Sequence, residues 1–306
     1  MPSENFYHTA PKLPNLKRLG PNSLIYRPKV ASFLSHISKG VPSVSAVNQL
    51  ANQLGKTAIY IPAYNAEKTL PKVLSRIPQN VLDRVEEVFV VDNCSSDKTS
   101  QVVLDYKNTH NLSKLSVIRN PQNLGYGGSQ KVAYKHCIEK AYDTVVMLHG
   151  DAQYAPELVA DILNPVENCQ SDLVFGSRIA GNPLKGGMPL HRYLGNRVLT
   201  TFQNIFLGQH LSEYHSGYRA YSISALKTVP FMNLASDYHF DTEIIILFIH
   251  NKKRLSESPI PTHYGDEENY VNIWKYGTDV LVTTLSYWLH ARGLRKSRNW
   301  TRILGQ

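Results

Sequence analysis

Long apolar runs are missing from this sequence. The longest unbroken one is Ile244–Ile249, six residues, against the roughly 20 that a helix needs to cross a bilayer, so no membrane span is expected. Met1–Gly20 holds Pro, Asn and Lys but no apolar core of a signal peptide, and a secretory leader is not expected either. Cysteine is scarce. Cys94, Cys137 and Cys169 are odd in number and show no C-x-x-C spacing, which argues against a disulfide framework and a thiolate zinc site and for a reducing cytoplasm. Neither G-x-G-x-x-G nor a Walker loop occurs, so dinucleotide-binding and P-loop readings lose support.

What is present is a basic chain of 306 residues, net charge +9, with 42% hydrophobic residues. That size and composition suit one large or two modest globular domains. The charge is uneven. Residues 1–55 carry six Lys/Arg and one acid, and residues 291–306 carry five bases and no acid, whereas 56–290 are almost neutral at −1. Basic ends on a neutral core suit contact with an anionic surface, phospholipid or nucleic acid, or are simply solvated tails. The neutral core has no basic stripe interleaved with aromatics, so no nucleic-acid partner is expected. The expected organisation is a basic extension over 1–55, an α/β domain over 56–265, and a C-terminal amphipathic helix with a basic tail over 266–306.

From Lys56 short β-branched runs alternate with amphipathic stretches, the pattern of a mostly parallel sheet covered by helices. Strands are predicted at Thr57–Ile61, Glu86–Val91, Leu115–Ile118, Thr144–Leu148 and Leu173–Gly176, the fourth central by its apolarity. Helices are predicted at Ala66–Ile77, from Asp97 to about His110 with Ser95 or Ser96 as cap, at Ser129–Lys140, Leu190–Leu207 and Phe240–His250, and from Gly277 to about Arg292.

Two strand ends carry polar loops, Ile61-Pro-Ala-Tyr-Asn-Ala-Glu67 and Val90-Val-Asp-Asn-Cys-Ser-Ser-Asp-Lys-Thr99. In an open parallel sheet such loops wall the ligand crevice. Asp92 there can accept from a ribose or a base, and Tyr64 can stack. These segments resemble glycosyltransferase family 2, and within it the dolichol-phosphate mannose synthases and bacterial polyprenyl-phosphate glycosyltransferases. Family members open with a P-x-Y-N-E-like loop followed by V-D-D-x-S-x-D-x-T. The likeness runs from Lys56 to Arg219 and implies a GT-A-like, Rossmann-like α/β fold with an added N-terminal segment and C-terminal helix.

The resemblance assigns further residues. Nucleotide-sugar contacts fall on Pro62, Ala63, Tyr64, Asn65 and Glu67, on Asp92 and Asn93, and on Gly125, Gly127, Gly128 and Lys131 of Asn123–Lys131, which is similar to the family's N-x-G-x-G loop. Gly150 and Arg178 join them, the latter from Gly176-Ser-Arg178. His149-Gly-Asp-Ala-Gln153 falls where the family carries D-x-D-x-Q, so Asp151 and Gln153 match its metal ligands while His149 replaces a carboxylate. A leaving diphosphate needs its charge neutralised, and Mn²⁺ or Mg²⁺ on hard oxygen ligands does this. Glu213-Tyr-His-Ser-Gly-Tyr-Arg219 looks like the family's D-x-x-S-G-F-R, with the acid near the acceptor and the Arg near phosphate. The implied catalytic residues are Asp151, Glu213 and Arg219. A hydroxyl acceptor would need Glu213 as general base, whereas a phosphate acceptor is already ionised. Glu243, on an apolar helix, is expected to face the cleft or pair with a base. His263 and Tyr264 are candidates to close over the diphosphate.

The resemblance thus implies an inverting, metal-dependent transfer of a hexose from a GDP- or UDP-sugar to a polyprenyl phosphate at the cytosolic membrane face, by a peripheral protein. Two alternatives remain at this point: transfer to a hydroxyl of a soluble glycan, glycolipid or protein, and a nucleotide-sugar-binding protein without turnover, suggested by His149.

Overall fold

The computed structural model describes residues 55–262 and 273–305. Almost all of the basic extension lies outside these residues, as do His263, Tyr264 and the expected boundary after residue 265. Seven strands form one mixed sheet: β1 (Thr57–Ala63), β2 (Glu87–Asp92), β3 (Leu115–Arg119), β4 (Thr144–Met147), β5 (Leu173–Ser177), β6 (Arg219–Ser222) and β7 (Leu255–Pro259). Their order is β3-β2-β1-β4-β6-β5-β7, which makes β4 central as expected. All pairings are parallel except those of β6, which runs against both β4 and β5.

Among the described residues lie the helices α1 (Leu70–Ser75), α2 (Gln79–Arg84), α3 (Thr99–Thr109), α4 (Gly125–Glu139), α5 (Val159–Glu167), α6 (Leu190–Leu207), α7 (Ile223–Leu226), α8 (Phe240–His250), α9 (Ile273–Ala291) and α10 (Arg298–Leu304). The period-two strand pattern divides the core. Ala58, Tyr60, Val145 and Met147 pack on one sheet face with residues of α4, α8 and α10, while Ile59, Ile61, Val146 and Leu148 pack on the other with α1 and α5. Burial of both faces explains why these strands read as nearly continuous apolar runs.

Several boundaries move for local reasons. The first helix is shorter than expected, starting at Leu70 after a turn over Ala66–Thr69 whose Ala66 and Glu67 amides donate to Thr99 Oγ1 at 2.8 Å and Asp97 Oδ2 at 3.1 Å. At α3 the helix-start role falls to Asp97, whose Oδ1 accepts from Thr99 N at 3.0 Å, and not to Ser95 or Ser96. The tail is not simply basic and solvated. Arg298–Leu304 is a helix capped by Ser297, with Trp300 and Ile303 fully buried. Strands β6 and β7 were not anticipated.

Glu87 joins β2 to its neighbours, accepting from His136 Nε2 at 2.7 Å, Ser116 Oγ at 2.6 Å and the Tyr142 hydroxyl at 2.8 Å. Burial alone would raise its pKa, but these hydrogen bonds and the charge of His136 hold it at about 2. A carboxylate held below its unfolded value near 4.3 adds stability above that pH and loses it as pH falls toward the folded value. Urea unfolding followed from pH 5 to pH 2 should show a smaller acid loss in Glu87→Gln than in wild type. An equal loss in the variant would remove Glu87 from the acid sensitivity of the fold.

Candidate active site

Chain direction sets where ligands can enter. Strands β2 and β3 lie on one side of β1 and β4 on the other, so a topological switch point opens between the carboxyl ends of β1 and β4. Because β6 is reversed, its first residue, Arg219, pairs with Met147 of β4 and Phe175 of β5. The segment Glu213–Tyr218 therefore arrives at the same rim as the loops after β1, β2, β4 and β5.

The loops after β1 and β2 are tied together. Asn65, at a positive φ of 49°, donates its amide to Ser95 Oγ at 2.9 Å and accepts from Ser96 N at 2.9 Å. Glu67 Oε2 accepts from Lys98 N at 3.0 Å. Asp92 is fully buried and accepts from Ser95 N at 2.8 Å, from Ser100 Oγ, and from Arg119 Nη1 at 2.7 Å. It shapes the loop and offers no surface to a ribose, a correction to the sequence expectation. Asn93 likewise links to Asn120, Asn123 and the Leu124 amide. Tyr64 remains, 47% exposed at the mouth, with Pro62 behind it and Ala63 buried.

The glycine segment departs from expectation. It forms the first turn of α4 and packs against residues 235–240. Gly125 has φ +76° with Ser236 O only 2.3 Å from where a Cβ would sit, and a Cβ on Gly127 would lie 2.5 Å from Phe240 Cβ. Gly128 N donates to Ser236 O at 3.0 Å, and Lys131 Nζ reaches Leu234 O and Ser236 Oγ. These residues serve close packing, and Gly127 and Gly128 are buried. Glu243 neither faces the cleft nor pairs with a base: it accepts from Ala235 N at 2.6 Å and Asn299 Nδ2 at 3.2 Å.

Asp151 stands at the end of the central strand with 44% of its side chain exposed. Its Oδ1 accepts from Gln153 N at 3.0 Å across Ala152, which holds a positive φ of 66°. Gly150 fits because its α-carbon faces Pro62 O, where a Cβ would come within 3.0 Å. His149 Nδ1 lies 3.8 Å from Asp151 Oδ2, too far for a hydrogen bond. Burial would raise the Asp151 pKa, but the His149 ring and the Gln153 amide hold it below the ordinary value. On the far side of the ring, His149 Nε2 is 3.1 Å from the Tyr126 hydroxyl, which is 3.3 Å from Asp241 Oδ2. Asp241 only accepts, so Tyr126 donates to it and accepts from His149 Nε2–H. That orientation turns Nδ1 toward the Asp151 carboxylate.

Donor chemistry fits a divalent cation here. Asp151, the Nδ1 of His149 and the side-chain carbonyl oxygen of Gln153 are the groups that would hold it. Among the described residues no three His, Cys, Asp or Glu side chains converge, so the remaining ligands would come from diphosphate oxygens and water, as hard cations accept.

Four further charges form two pairs. Glu213, 1% exposed, accepts from Arg178 N at 2.7 Å, Arg178 Nε at 2.9 Å and Asn196 Nδ2 at 2.8 Å. Desolvation would raise its pKa, yet the Arg178 charge and these bonds lower it, and its carboxylate is engaged by Arg178 and Asn196. Arg219, with no exposed surface, pairs with Asp241 at 3.1 Å and donates to the Ser216 and Tyr214 carbonyls. Direct contact with phosphate is closed to it. Sequence reasoning did not single out Tyr126, Asp241, Arg119 or Asn196. Tyr126 lies inside the quoted glycine motif, where a bulky ring between glycines was the available signal.

Residues 58–229 match the family described as Glycosyl transferase family 2. The chain belongs to that family. It is 31% identical over 218 residues to a UDP-N-acetylglucosamine–dolichyl-phosphate N-acetylglucosaminyltransferase of Methanococcus voltae, covering 68% of this chain and 86% of the relative. An undecaprenyl-phosphate mannosyltransferase of Micrococcus luteus is 29% identical, over 65% of this chain and 80% of its own. Glucosyl-3-phosphoglycerate synthase of Mycobacterium tuberculosis, solved with Mn²⁺, UDP-glucose and phosphoglyceric acid, superposes with TM-score 0.56 at 18% identity, over 85% of this chain and 87% of that one. The fold is therefore GT-A, and this family 2 protein is a glycosyltransferase.

If Arg219 holds the rim together, breaking its pair leaves Asp241 buried and unmatched. Arg219→Leu should lower the unfolding free energy by about 3–5 kcal/mol in urea titration. A variant as stable as wild type would instead assign the guanidinium to ligand contact.

Proposed function

We propose that this glycosyltransferase moves a hexose from a nucleotide-diphospho-sugar to a polyprenyl phosphate, with inversion at the anomeric carbon and with Mn²⁺ or Mg²⁺ bound. The observation that carries this reading is the half-exposed Asp151 at the β1/β4 switch point, flanked by His149 Nδ1 and Gln153. The donor's base and ribose would lie against Tyr64 and the loops after β1 and β2, its diphosphate toward Asp151. An acceptor oxygen attacks the anomeric carbon from the face opposite the diphosphate, forming the new C–O bond as the sugar–diphosphate bond breaks. The cation supplies charge neutralisation for the leaving diphosphate.

The state of Glu213 favours a phosphate acceptor. A carboxylate already bonded to Arg178 and Asn196 is poorly placed to take a proton, and an ionised phosphate has none to give up. The activities for which the Methanococcus and Micrococcus relatives are named, both on polyprenyl-type phosphates, support the same class. GDP-mannose, UDP-glucose and UDP-N-acetylhexosamine are the donors to compare. The domain reading, with a GT-A core after residue 55 and a peripheral association at the membrane surface carrying the acceptor, belongs to this proposal as well.

Transfer of labelled sugar from each donor to polyprenyl phosphate, with and without EDTA, tests the reading. Asp151→Ala should keep the wild-type melting temperature and lose about 100-fold or more in kcat. Undiminished turnover in that variant, or turnover indifferent to EDTA, would overturn it.

A further inference from the structure

Helix α6 carries its apolar residues on the wrong side for a core helix. Leu190, Leu194, Val198 and Ile205 are 53–71% exposed, and at 100° per residue they fall within one stripe about 80° wide. The opposite side buries Thr200, Gln203 and Leu207. Helix α9 repeats the inversion, with Val282 and Leu285 outward and Val280, Thr284 and Tyr287 inward.

The two stripes form one surface. Leu199 Cδ1 approaches the position of a Gly277 Cβ at 3.9 Å, and Phe206 meets Trp288 edge-on at 5.4 Å, so the helices lie side by side in the same direction. Turning from these contacts, the exposed residues of α6 and of α9 fall on the same side of the pair. Arg197 is exposed on the flank of α6, and Arg292, Arg295, Lys296 and Arg298 are exposed beyond α9. No acidic residue occurs in α6 or after Asp279.

An apolar face of this extent, rimmed by bases and lacking acids, is the composition of an interfacial membrane-binding surface. We propose that the α6–α9 face rests on an anionic lipid bilayer, its side chains entering the headgroup boundary. This rests on the proposed lipid-phosphate acceptor and adds which surface meets the membrane. The inner side of α6 supports the site through Asn196 and Glu213, so the helix that docks also braces the Arg178–Glu213 pair over which a lipid headgroup would enter. The basic C-terminal end anticipated from the sequence then acts as a rim for this face, not as the anchor itself.

Co-sedimentation with vesicles of phosphatidylcholine and phosphatidylglycerol tests the proposal, using the full chain and Leu194→Glu/Val198→Glu/Ile205→Glu. All three residues are exposed, so the triple variant should melt with wild type; a circular dichroism melt checks this. Wild type should pellet with the vesicles, and the variant should lose at least about tenfold in partitioning. Transfer to vesicle-embedded acceptor should fall with it, while transfer to a short-chain polyprenyl phosphate in solution is retained. Equal pelleting of the two proteins, no pelleting of wild type, or a solution dimer that the substitutions dissolve without changing pelleting would overturn the docking face. Failure of wild type to glycosylate the short-chain phosphate would instead overturn the acceptor class and leave the pelleting result standing.

Discussion

A guanidinium without exposed surface must keep a counter-charge, and the rim of this enzyme is organised by that requirement at Arg219. Its partner Asp241 starts α8, so the pair joins the reversed strand β6 to that helix. The other contacts of the same carboxylate, with Tyr126 and with Gln130 at 2.9 Å, fix the start of α4. Through the Tyr126 hydroxyl the constraint reaches the His149 ring. One buried pair thus sets the relative position of three elements and the orientation of a ring beside the central carboxylate. Gly217 belongs to this arrangement: a Cβ there would lie 2.4 Å from His149 Nε2, so only glycine leaves room for the ring.

From that constraint follows a division between charges that build the crevice and groups left to meet a ligand. Asp92, Glu213 and Arg219 are buried and fully occupied, each by a partner distant in sequence. Tyr64, Asp151, Gln153 and Tyr238 line the opening. Tyr238 stacks on Tyr126 with ring centres 5.0 Å apart, extending the aromatic wall toward Asp151. Ionised groups that are already paired give a fixed field with little reorganisation, the kind of environment that stabilises a leaving anion. A partly exposed carboxylate can exchange its water for a cation.

Much of this architecture was legible from periodicity. α6 and α8 begin and end where their apolar patterns do, and the buried strands β1, β2 and β4 announce themselves as β-branched runs. β6 did not, because a four-residue strand opening on Arg219 has no alternation to read, and its reversed direction leaves no trace in composition. At the site, motif order identified the loops that surround the crevice. It did not say which way each side chain turns. Asp92 faces inward because Arg119, 27 residues away, lies on the neighbouring strand, and Glu213 because Arg178, 35 residues away, arrives from β5. Such partners appear only when the sheet is assembled. The glycines after Asn123 show the same limit: a sequence marks close approach but not whether a ligand or the chain itself does the approaching.

Under the proposed function, the end of β4 seats a cation under the donor diphosphate. Crystals grown with Mn²⁺ and a nucleoside diphosphate, measured at the manganese absorption edge, examine it directly. An anomalous peak shared by Asp151 and His149, with the diphosphate against it and the base beside Tyr64, is the result this account predicts. A peak elsewhere with Asp151 unliganded, or a nucleotide bound outside the β1/β4 crevice, would contradict it.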